Sequence, residues 1–185
     1  VGLSSGTSGN RGLFLASSSE RAIWVAAVLQ RILGWSFKKR KIAFFLRANS
    51  NLYSSVQSNF LAFEYFDLLK PIQEHLERIQ KVQPHIVVGQ PSLLVRLAHA
   101  QNDGRISIRP QRIFSVAEVL SDEDEALISL AFGIRVDQVY QCTEGLFGQT
   151  CAEGTLHLNE DWLIVEKEWL DDTRFIPIIT DLKRE

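Results

Sequence analysis

The chain has 185 residues, a formal net charge of −2 and a hydrophobic content of 45%, all of which are ordinary for a globular protein. This composition excludes intrinsic disorder, and it gives no reason to expect a broad electrostatic attraction to nucleic acid or to anionic lipid. No apolar run reaches the roughly 18–20 residues that a membrane-spanning helix needs, so a transmembrane protein is excluded as well.

Strands and helices alternate in the first half of the predicted pattern. Ser17 and Glu20 have the spacing of a capping box, and the apolar residues that follow recur at helical spacing until Gly34. Pro71 stands where the first turn of a later helix is expected. The predicted elements of this half are strand 13–16, a helix that ends before Gly34, strand 42–46, a polar loop or short helix over 47–59, strand 60–66 and helix 68–82.

The second half continues the alternation and then becomes richer in strands. Ser121 precedes an acidic run, as at a helix N-terminus, and Gly133 is a typical helix end. The predicted elements are strand 85–88, helix 91–100, strand 112–116, a helix between Ser121 and Gly133, strand 135–140, and β-like runs over 155–158, 162–165 and 175–180. The sequence therefore predicts an α/β fold: a mostly parallel sheet with flanking helices, plus antiparallel strands near the C-terminus.

Both ends of the chain are unusual for a domain. The chain starts at Val1, shortly before a Gly/Ser-rich loop, and a predicted strand ends five residues before the last residue, Glu185. Natural domains usually begin and end in exposed polar linkers. We therefore expect the chain to be a piece of a longer protein.

The Gly/Ser-rich segment is the first candidate for a functional site. Ser4–Gly12 combines three glycines and four hydroxyl side chains with Arg11. The glycines allow a tight turn that points several N–H groups at one spot, and the hydroxyls and the guanidinium add donors, which suits a phosphate group. The spacing matches neither a Walker A loop nor the Gly-x-Gly-x-x-Gly dinucleotide pattern, and a flexible loop is an equal alternative.

Two further candidates lie where predicted strands end. Tyr140, Thr143 and Glu144 follow one strand, and Ser115–Glu118 ends the strand before it. Ligands of open parallel sheets bind beyond the carboxyl ends of the strands, where a tyrosine can stack on a base, a threonine can contact a phosphate and a carboxylate can hold Mg²⁺. Taken singly, these residues have a plainer explanation: packing for the tyrosine, solvation for the glutamate and a strand-to-helix connection for Ser115–Glu118.

Together, the three segments resemble those of the adenylate-forming enzymes. Ser4–Gly9 is similar to their Ser/Thr/Gly-rich phosphate loop, Tyr140–Glu144 to their Tyr-Gly-x-Thr-Glu motif, and Ser115–Glu118 falls where they contact adenine. Gly154–Asp161 and Ile164–Glu166 resemble the phenylacetate–CoA ligase and coenzyme F390 synthetase branch. The resemblance spans residues 3–166 in the family's order, and it implies part of the N-terminal domain of such an enzyme.

The resemblance also implies roles for individual residues. Arg11, Thr143 and Glu144 would be catalytic: Arg11 would help to hold the β- and γ-phosphates, Thr143 would contact the α-phosphate and Glu144 would bind Mg²⁺. Tyr140 would pack on the adenine or the ribose. The nucleotide-binding set would be Ser5, Gly6, Thr7, Ser8, Gly9, Ala117, Glu118, Tyr140, Gln141 and Thr143.

The implied activity is an ATP-dependent adenylation. A carboxylate attacks the α-phosphate of ATP, which gives an acyl-AMP and pyrophosphate, and the acyl group then passes to CoA or to another acceptor. In the F390 synthetase branch a hydroxyl is adenylylated instead, and the sequence does not choose. The implied partners are ATP, Mg²⁺, CoA and a small carboxylic acid, with aromatic acids among the candidates. Nucleic acid and membrane are not expected, the expected location is cytoplasmic, and a homodimer is allowed for.

The chain departs from the family pattern at several places. Asn10 and Arg11 replace the usual Pro-Lys of the loop, and Gln141 replaces a glycine. The family's ribose-binding Asp and its C-terminal lobe, with the catalytic Lys, would both follow Glu185. We therefore divide the chain into a nucleotide-binding α/β core over 1–150 and a β-rich extension over 151–185. We expect ligase activity from the longer protein and none from these residues alone.

Two other classes of protein stay open. A catalytically inactive relative that binds a nucleotide or a pathway intermediate would explain Asn10 and Gln141, whereas the intact Thr143-Glu144 pair favours the enzyme. An unrelated α/β domain is the third alternative.

Two remaining features are expected to have no function of their own. The separations of Cys142, Cys151 and His157 are not a standard zinc spacing, so inert cysteines in a reduced protein are expected. The basic run Lys38–Lys41 is typical of a solvated turn rather than of a nucleic-acid site.

Overall fold

The computed structural model of the chain describes residues 2–3, 13–14, 17, 26, 39–46, 61–142 and 145–182. Strands β1 (Gly2–Leu3) and β2 (Leu13–Phe14) form an antiparallel pair. The predicted helix between Ser17 and Gly34 and the polar segment 47–59 lie outside the described residues, apart from Ala26, which is helical. Within the described ranges, no helix is long and apolar enough to cross a membrane.

The main sheet has seven strands, which are β3 (Arg40–Leu46), β4 (Leu61–Asp67), β5 (Ile86–Gly89), β6 (Arg112–Val116), β7 (Val136–Cys142), β8 (Gly145–Thr150) and β9 (Leu156–Leu158). In space they follow the order β4-β3-β5-β6-β7-β8-β9. Strands β3 to β7 are parallel, whereas β8 and β9 are antiparallel to their neighbours. The chain reverses its direction across the sheet between β3 and β5, and ligands of such sheets bind outside the carboxyl ends at that point.

Three helices pack on one face of the sheet: α1 (Ile72–Val82), α2 (Pro91–Asn102) and α3 (Asp122–Phe132). Their apolar side chains, such as Leu94 and Ile128, are fully buried against the strands, and each contributes about 2 kcal/mol by leaving water. The strand residues that meet them are Ala43, Phe45, Val87, Ile113 and Val136. A second buried cluster on the opposite face includes Ile42, Ile86, Val88, Phe114, Val139 and Leu146.

The helix ends show which signals in the sequence were informative. The Ser121 side chain accepts a hydrogen bond from the Asp124 N–H at 3.2 Å, and Gly133 ends α3 with a φ of 68°, so both predictions are confirmed. Helix α1 starts later than predicted, at Ile72. The reason is Asp67: its side chain accepts from the Leu69 N–H at 3.0 Å and its carbonyl from the Lys70 N–H at 2.9 Å, which makes a turn instead.

Strands β10 (Leu163–Trp169) and β11 (Phe175–Asp181) form a separate antiparallel pair near the C-terminus. The Asp171 carboxylate closes their connection by accepting hydrogen bonds from the Thr173 and Arg174 N–H groups, at 3.0 and 2.8 Å. Together with β8 and β9, this pair confirms the predicted fold class, a mostly parallel sheet with helices and antiparallel strands near the C-terminus. Strand β8 itself was not predicted from the sequence.

Candidate functional site

Two of the predicted site segments meet at the carboxyl edge of the parallel strands. Val116 is the register partner of Val139 where β6 and β7 run side by side. The next residue on each strand, Ala117 and Tyr140, therefore lies at the same edge of the sheet. The prediction that these two strand ends are neighbours is confirmed by this register.

Tyr140 has the exposure that a stacking residue needs. Its side chain is 41% exposed, and its ring meets that of Phe147 edge to face, with the centroids 5.5 Å apart. The pairing of β7 with β8 shifts by one residue between Tyr140 and Gln141. Because successive side chains of a strand alternate between faces, Gln141 lies on the opposite side of the sheet from Tyr140. The departure from glycine at position 141 therefore places no side chain on the Tyr140 face of the sheet.

Ala117 has an unusual backbone conformation. Its φ is 67°, in the left-handed region that residues with a Cβ rarely adopt. Among the described non-glycine residues, this conformation is shared only by Gln83, which ends helix α1. Strained backbone of this kind persists where the surroundings hold it, and it is enriched at functional sites. The strain at Ala117 is thus an independent reason to regard this strand end as a site.

Glu118 contacts a helix terminus. Its Oε2 atom accepts a hydrogen bond from the Ser92 backbone N–H at 3.2 Å, in the first turn of α2. The sequence predicted a nucleotide contact for Glu118, and in this structure its carboxylate lies against the protein backbone.

A cleft of about 290 Å³ opens at the same edge, between the first turns of α1 and α2. Two cations line it: Lys70, which pairs with Glu74 at 3.3 Å, and Arg96, which has no ion pair within the described part of the chain. Helix N-termini carry partial positive charge, so the helices and the two cations favour an anion, and the Glu118 carboxylate at the α2 end offsets part of this charge. The full lining is Leu68, Lys70, Ile72, His75, Gln90, Ser92, Leu93, Arg96 and Glu118.

His75 forms part of the wall of this cleft and is only 3% exposed. Its ring meets those of Phe45 and Phe66 edge-on, at 5.6 and 5.8 Å between centroids. Burial lowers the pKa of the imidazole, and a hydrogen bond to the Asp67 backbone carbonyl opposes this only in part. The imidazole is therefore held neutral, and its Nε2 atom has no partner among the described residues.

Nothing in the sequence indicated this cleft. Lys70, His75 and Arg96 come from different segments of the chain, and none of them belongs to a recognisable motif. The one available signal was Pro91-Ser92 directly after a predicted strand, which marks a helix N-terminus at the carboxyl edge of the sheet.

The remaining predicted site residues lie outside the described residues. They are Ser5, Gly6, Thr7, Ser8, Gly9 and Arg11 of the phosphate loop, and Thr143 and Glu144, which connect β7 to β8. Of the alternative zinc ligands, Cys151 is a half-buried free thiol and His157 is exposed. In the described part of the chain, no three His, Cys, Asp or Glu side chains are grouped so that they could hold a metal ion.

Solved structures with the same fold include CoA ligases and an amide bond synthetase. An open conformation of 2-hydroxyisobutyryl-CoA ligase in complex with 2-HIB-AMP and CoA has a TM-score of 0.78 at 13% identity, over 100% of this chain and 45% of that one. A malonyl-CoA ligase with methylmalonyl-CoA and AMP bound has a TM-score of 0.67 at 14% identity, over 97% and 42%. The amide bond synthetase McbA from Marinactinospora thermotolerans has a TM-score of 0.64 at 16% identity, over 95% and 37%.

These likenesses show the fold: the chain is built like part of these CoA ligases. It spans about 45% of the length of the 2-hydroxyisobutyryl-CoA ligase. No protein-family model and no curated protein matches the sequence.

Proposed function

We propose that this chain is the nucleotide-binding part of an ATP-dependent ligase that activates a carboxylic acid as an acyl-AMP. The observation that carries the proposal is the edge formed by Ala117 and Tyr140. It combines a strained backbone and an exposed aromatic ring with the carboxyl ends of parallel strands. The shared fold with ligases whose structures hold an acyl-AMP or AMP supports the same function.

In the proposed reaction, the substrate carboxylate oxygen attacks the α-phosphorus of ATP. A new P–O bond forms, the bond to the β-phosphate oxygen breaks, and pyrophosphate leaves with the bonding electrons. Tyr140 would stack on the adenine, and the backbone at Ala117 would form the adjoining wall. Thr143 would orient the α-phosphate, and Arg11 with the loop Ser5–Gly9 would hold the leaving phosphates by charge and hydrogen bonding.

Glu144 is the proposed ligand of Mg²⁺. A carboxylate oxygen is the ligand type that Mg²⁺ prefers, and the ion when bound neutralises phosphate charge. Glu144 is one of two residues between Cys142 and Gly145, which are register partners on β7 and β8. The two residues that flank Thr143 and Glu144 in the chain therefore lie at the end of β7 that also carries Tyr140.

The acceptor in the second half-reaction is proposed from the cleft and from one sequence segment. The cleft lined by Lys70 and Arg96 adjoins Glu118 and favours an anionic molecule, which CoA is, because it carries phosphates. Gly154–Asp161 supports the phenylacetate–CoA ligase and F390 synthetase branch, in which an acid or a hydroxyl is the group activated. We propose CoA as the acceptor and keep this branch as the working assignment. A cytoplasmic location and a homodimer remain predictions.

The domain division is also a proposal. Residues 1–150 would be the nucleotide-binding core, and residues 151–185 would be the extension that leads to the rest of the ligase. Strand β9 belongs to the extension and pairs with β8 of the core, so the two parts contribute to the same sheet.

The second candidate function is a catalytically inactive relative that binds a nucleotide or an intermediate. The substitution Asn10 favours it, as does the carboxylate of Glu118, which bonds to the Ser92 N–H of a helix terminus.

Calorimetric titration of Mg·ATP into the full-length protein tests the proposal. We expect saturable binding that Tyr140→Ala weakens about tenfold or more, as for other bases stacked on an aromatic ring. Tyr140→Phe is the matched control, since it keeps the ring and loses only the hydroxyl. Saturable binding together with acid-dependent ATP–pyrophosphate exchange supports the ligase, and binding without exchange supports the inactive relative. The absence of binding in the wild type contradicts the ligase, and of the inactive relative it leaves only a form that binds an intermediate.

A further inference from the structure

Glu118 caps a helix that does not cap itself. The Ser92 N–H, to which its Oε2 atom is bonded at 3.2 Å, belongs to the first turn of α2, where backbone donors have no partner within the helix. The N-cap residue of α2, Gln90, makes no side-chain capping hydrogen bond. The carboxylate of Glu118 thus supplies, from the end of β6, the acceptor and the negative charge that an N-cap side chain usually supplies.

The turn next to Glu118 needs support from outside. Ala117 holds its left-handed φ of 67° although its Cβ disfavours that conformation. Packing does not hold the turn, because the side chains of Ala117 and Glu118 are exposed and that of Val119 is 93% exposed. Within the described part of the chain, the hydrogen bond from Ser92 to Glu118 is the side-chain contact that ties residues 117–119 to the fold.

We propose that Glu118 is a positioning residue: by bonding to Ser92 it keeps Ala117 in the left-handed conformation and so fixes the backbone that lies beside Tyr140. The inference rests on the proposed function, because Tyr140 and this backbone are the proposed walls of the adenine site. The sequence predicted that Glu118 contacts the nucleotide. In this proposal its side chain acts instead through helix α2 and the turn at Ala117.

Variants that change either the length or the charge of the side chain at position 118 test this role. Glu118→Gln keeps an acceptor oxygen at the same reach, whereas Glu118→Asp keeps the charge but is too short to reach Ser92. We expect Glu118→Ala and Glu118→Asp to weaken Mg·ATP binding about tenfold, because the competent backbone becomes a minor state. Glu118→Gln should bind within about twofold of the wild type, since a neutral oxygen also accepts the bond. Glu77→Ala, which removes an exposed carboxylate on α1, is the control and should change nothing.

The double variant Ala117→Gly/Glu118→Ala tests the turn itself. Glycine adopts the left-handed conformation without a Cβ penalty, so the double variant should regain binding to within about threefold of the wild type. Amide hydrogen exchange at Ser92, measured without nucleotide, should be faster in Glu118→Ala and Glu118→Asp than in the wild type and Glu118→Gln.

The possible results distinguish this inference from the proposed function. A wild type that does not bind Mg·ATP contradicts the proposed function and the inference with it. A wild type that binds, with Glu118→Ala equally tight, overturns the inference alone. If Glu118→Gln and Glu118→Ala weaken Mg·ATP binding equally, or if the double variant does not regain binding, the carboxylate contacts the nucleotide directly. Either result also overturns the inference. Amide hydrogen exchange at Ser92 that is no faster in Glu118→Ala than in the wild type overturns the inference as well. If Glu118→Ala does not fold, the Mg·ATP affinities of Glu118→Gln and Glu118→Asp are compared, and equal affinities overturn the inference.

Discussion

The backbone carbonyl oxygen of His157 lies so close to Gly148 that a Cβ at position 148 would come within 2.6 Å of it. The two residues belong to the neighbouring strands β8 and β9, in which Gly148 pairs with Leu158 and Gln149 with His157. The contacting atom is part of the backbone of a paired strand, so it cannot rotate away as a side chain could. Any residue other than glycine would therefore push β9 off the sheet.

Gly148→Ala should destabilise the fold. We expect a loss of about 2 kcal/mol in the free energy of unfolding, as for other overpacked sites, and a melting temperature lower by about 6 °C. The measurement is thermal unfolding followed by circular dichroism. Gly145→Ala is the matched control on the same strand, because a Cβ there meets only the Phe147 ring at an ordinary 3.6 Å. Equal melting temperatures for the two variants would contradict the collision.

Asp137 joins three parts of the sheet, and its loss should also be destabilising. Its side chain is 7% exposed and bridges Arg112 at 2.7 Å and Arg135 at 2.9 Å. Arg135 in turn donates to the carbonyls of Cys151 and Ala152, at 3.2 and 3.0 Å, at the turn before β9. Because both arginines are partly solvated, we expect Asp137→Ala to cost about 2 kcal/mol, which is less than for a fully buried pair.

Urea unfolding measures this loss, and a surface ion pair provides the control. Asp103 lies 3.4 Å from Arg105, and both side chains are half-exposed. Asp103→Ala should change the free energy of unfolding by less than about 0.5 kcal/mol. Similar losses in the two variants would show that the Asp137 pair is no more than a surface contact.

The buried imidazole of His75 should make stability depend on pH. Burial lowers its pKa in the folded state below the usual value of 6.5, which the unfolded chain keeps. Protonation therefore favours the unfolded state. The stability that the neutral imidazole provides is complete above about pH 6.5 and is lost as the pH falls through the folded-state pKa. His75→Phe, which can fill the same space beside Phe45 and Phe66, removes this contribution.

Urea midpoints for the wild type and His75→Phe, measured from pH 7.5 to 5, check this prediction. The wild type should lose stability relative to the variant as the pH falls. Parallel curves would mean that the imidazole is already solvated in the folded state.

Glu144→Ala should remove Mg²⁺-dependent ATP use from the full-length protein and leave the fold intact. We expect ATP–pyrophosphate exchange to fall about a hundredfold or more, because the phosphate charge is no longer neutralised by a bound ion. The circular dichroism spectrum should be unchanged. Glu153→Ala, an exposed carboxylate in the turn between β8 and β9, is the control. Unchanged exchange in Glu144→Ala would exclude Glu144 from the site.

The sequence predicted the parallel half of the fold well, because its elements have strong local signals. Pro91, Ser121 and Gly133 each stand at a helix terminus, for reasons of local backbone chemistry that need no tertiary context. Strand β8 was missed because two of its six residues are glycines, which disfavour strands in isolation. It is stabilised by pairing with β7 and β9, and its glycine at position 148 is required by that pairing.

The site was predictable only where it follows from strand order. The ends of β6 and β7 were expected to be neighbours because consecutive strands joined by a helix usually pair, and Ala117 and Tyr140 are neighbours accordingly. The left-handed turn at Ala117 carries no sequence signal, since an alanine gives no hint of a positive φ. The bond between Glu118 and Ser92 joins residues from different segments, so only the folded chain reveals it.

The strand order of the main sheet also has a consequence for synthesis. Strand β3 lies between β4 and β5, and among the described strands β4 has no second neighbour in the sheet. When the ribosome has made β3 and β4, this two-stranded ribbon still has an open edge on the β3 side, and it keeps that edge until Ile86–Gly89 has left the exit tunnel. An exposed edge of apolar residues such as Ile42 and Phe44 is a template for pairing with other chains. The nascent chain therefore carries this unpaired apolar edge until β5 pairs with β3.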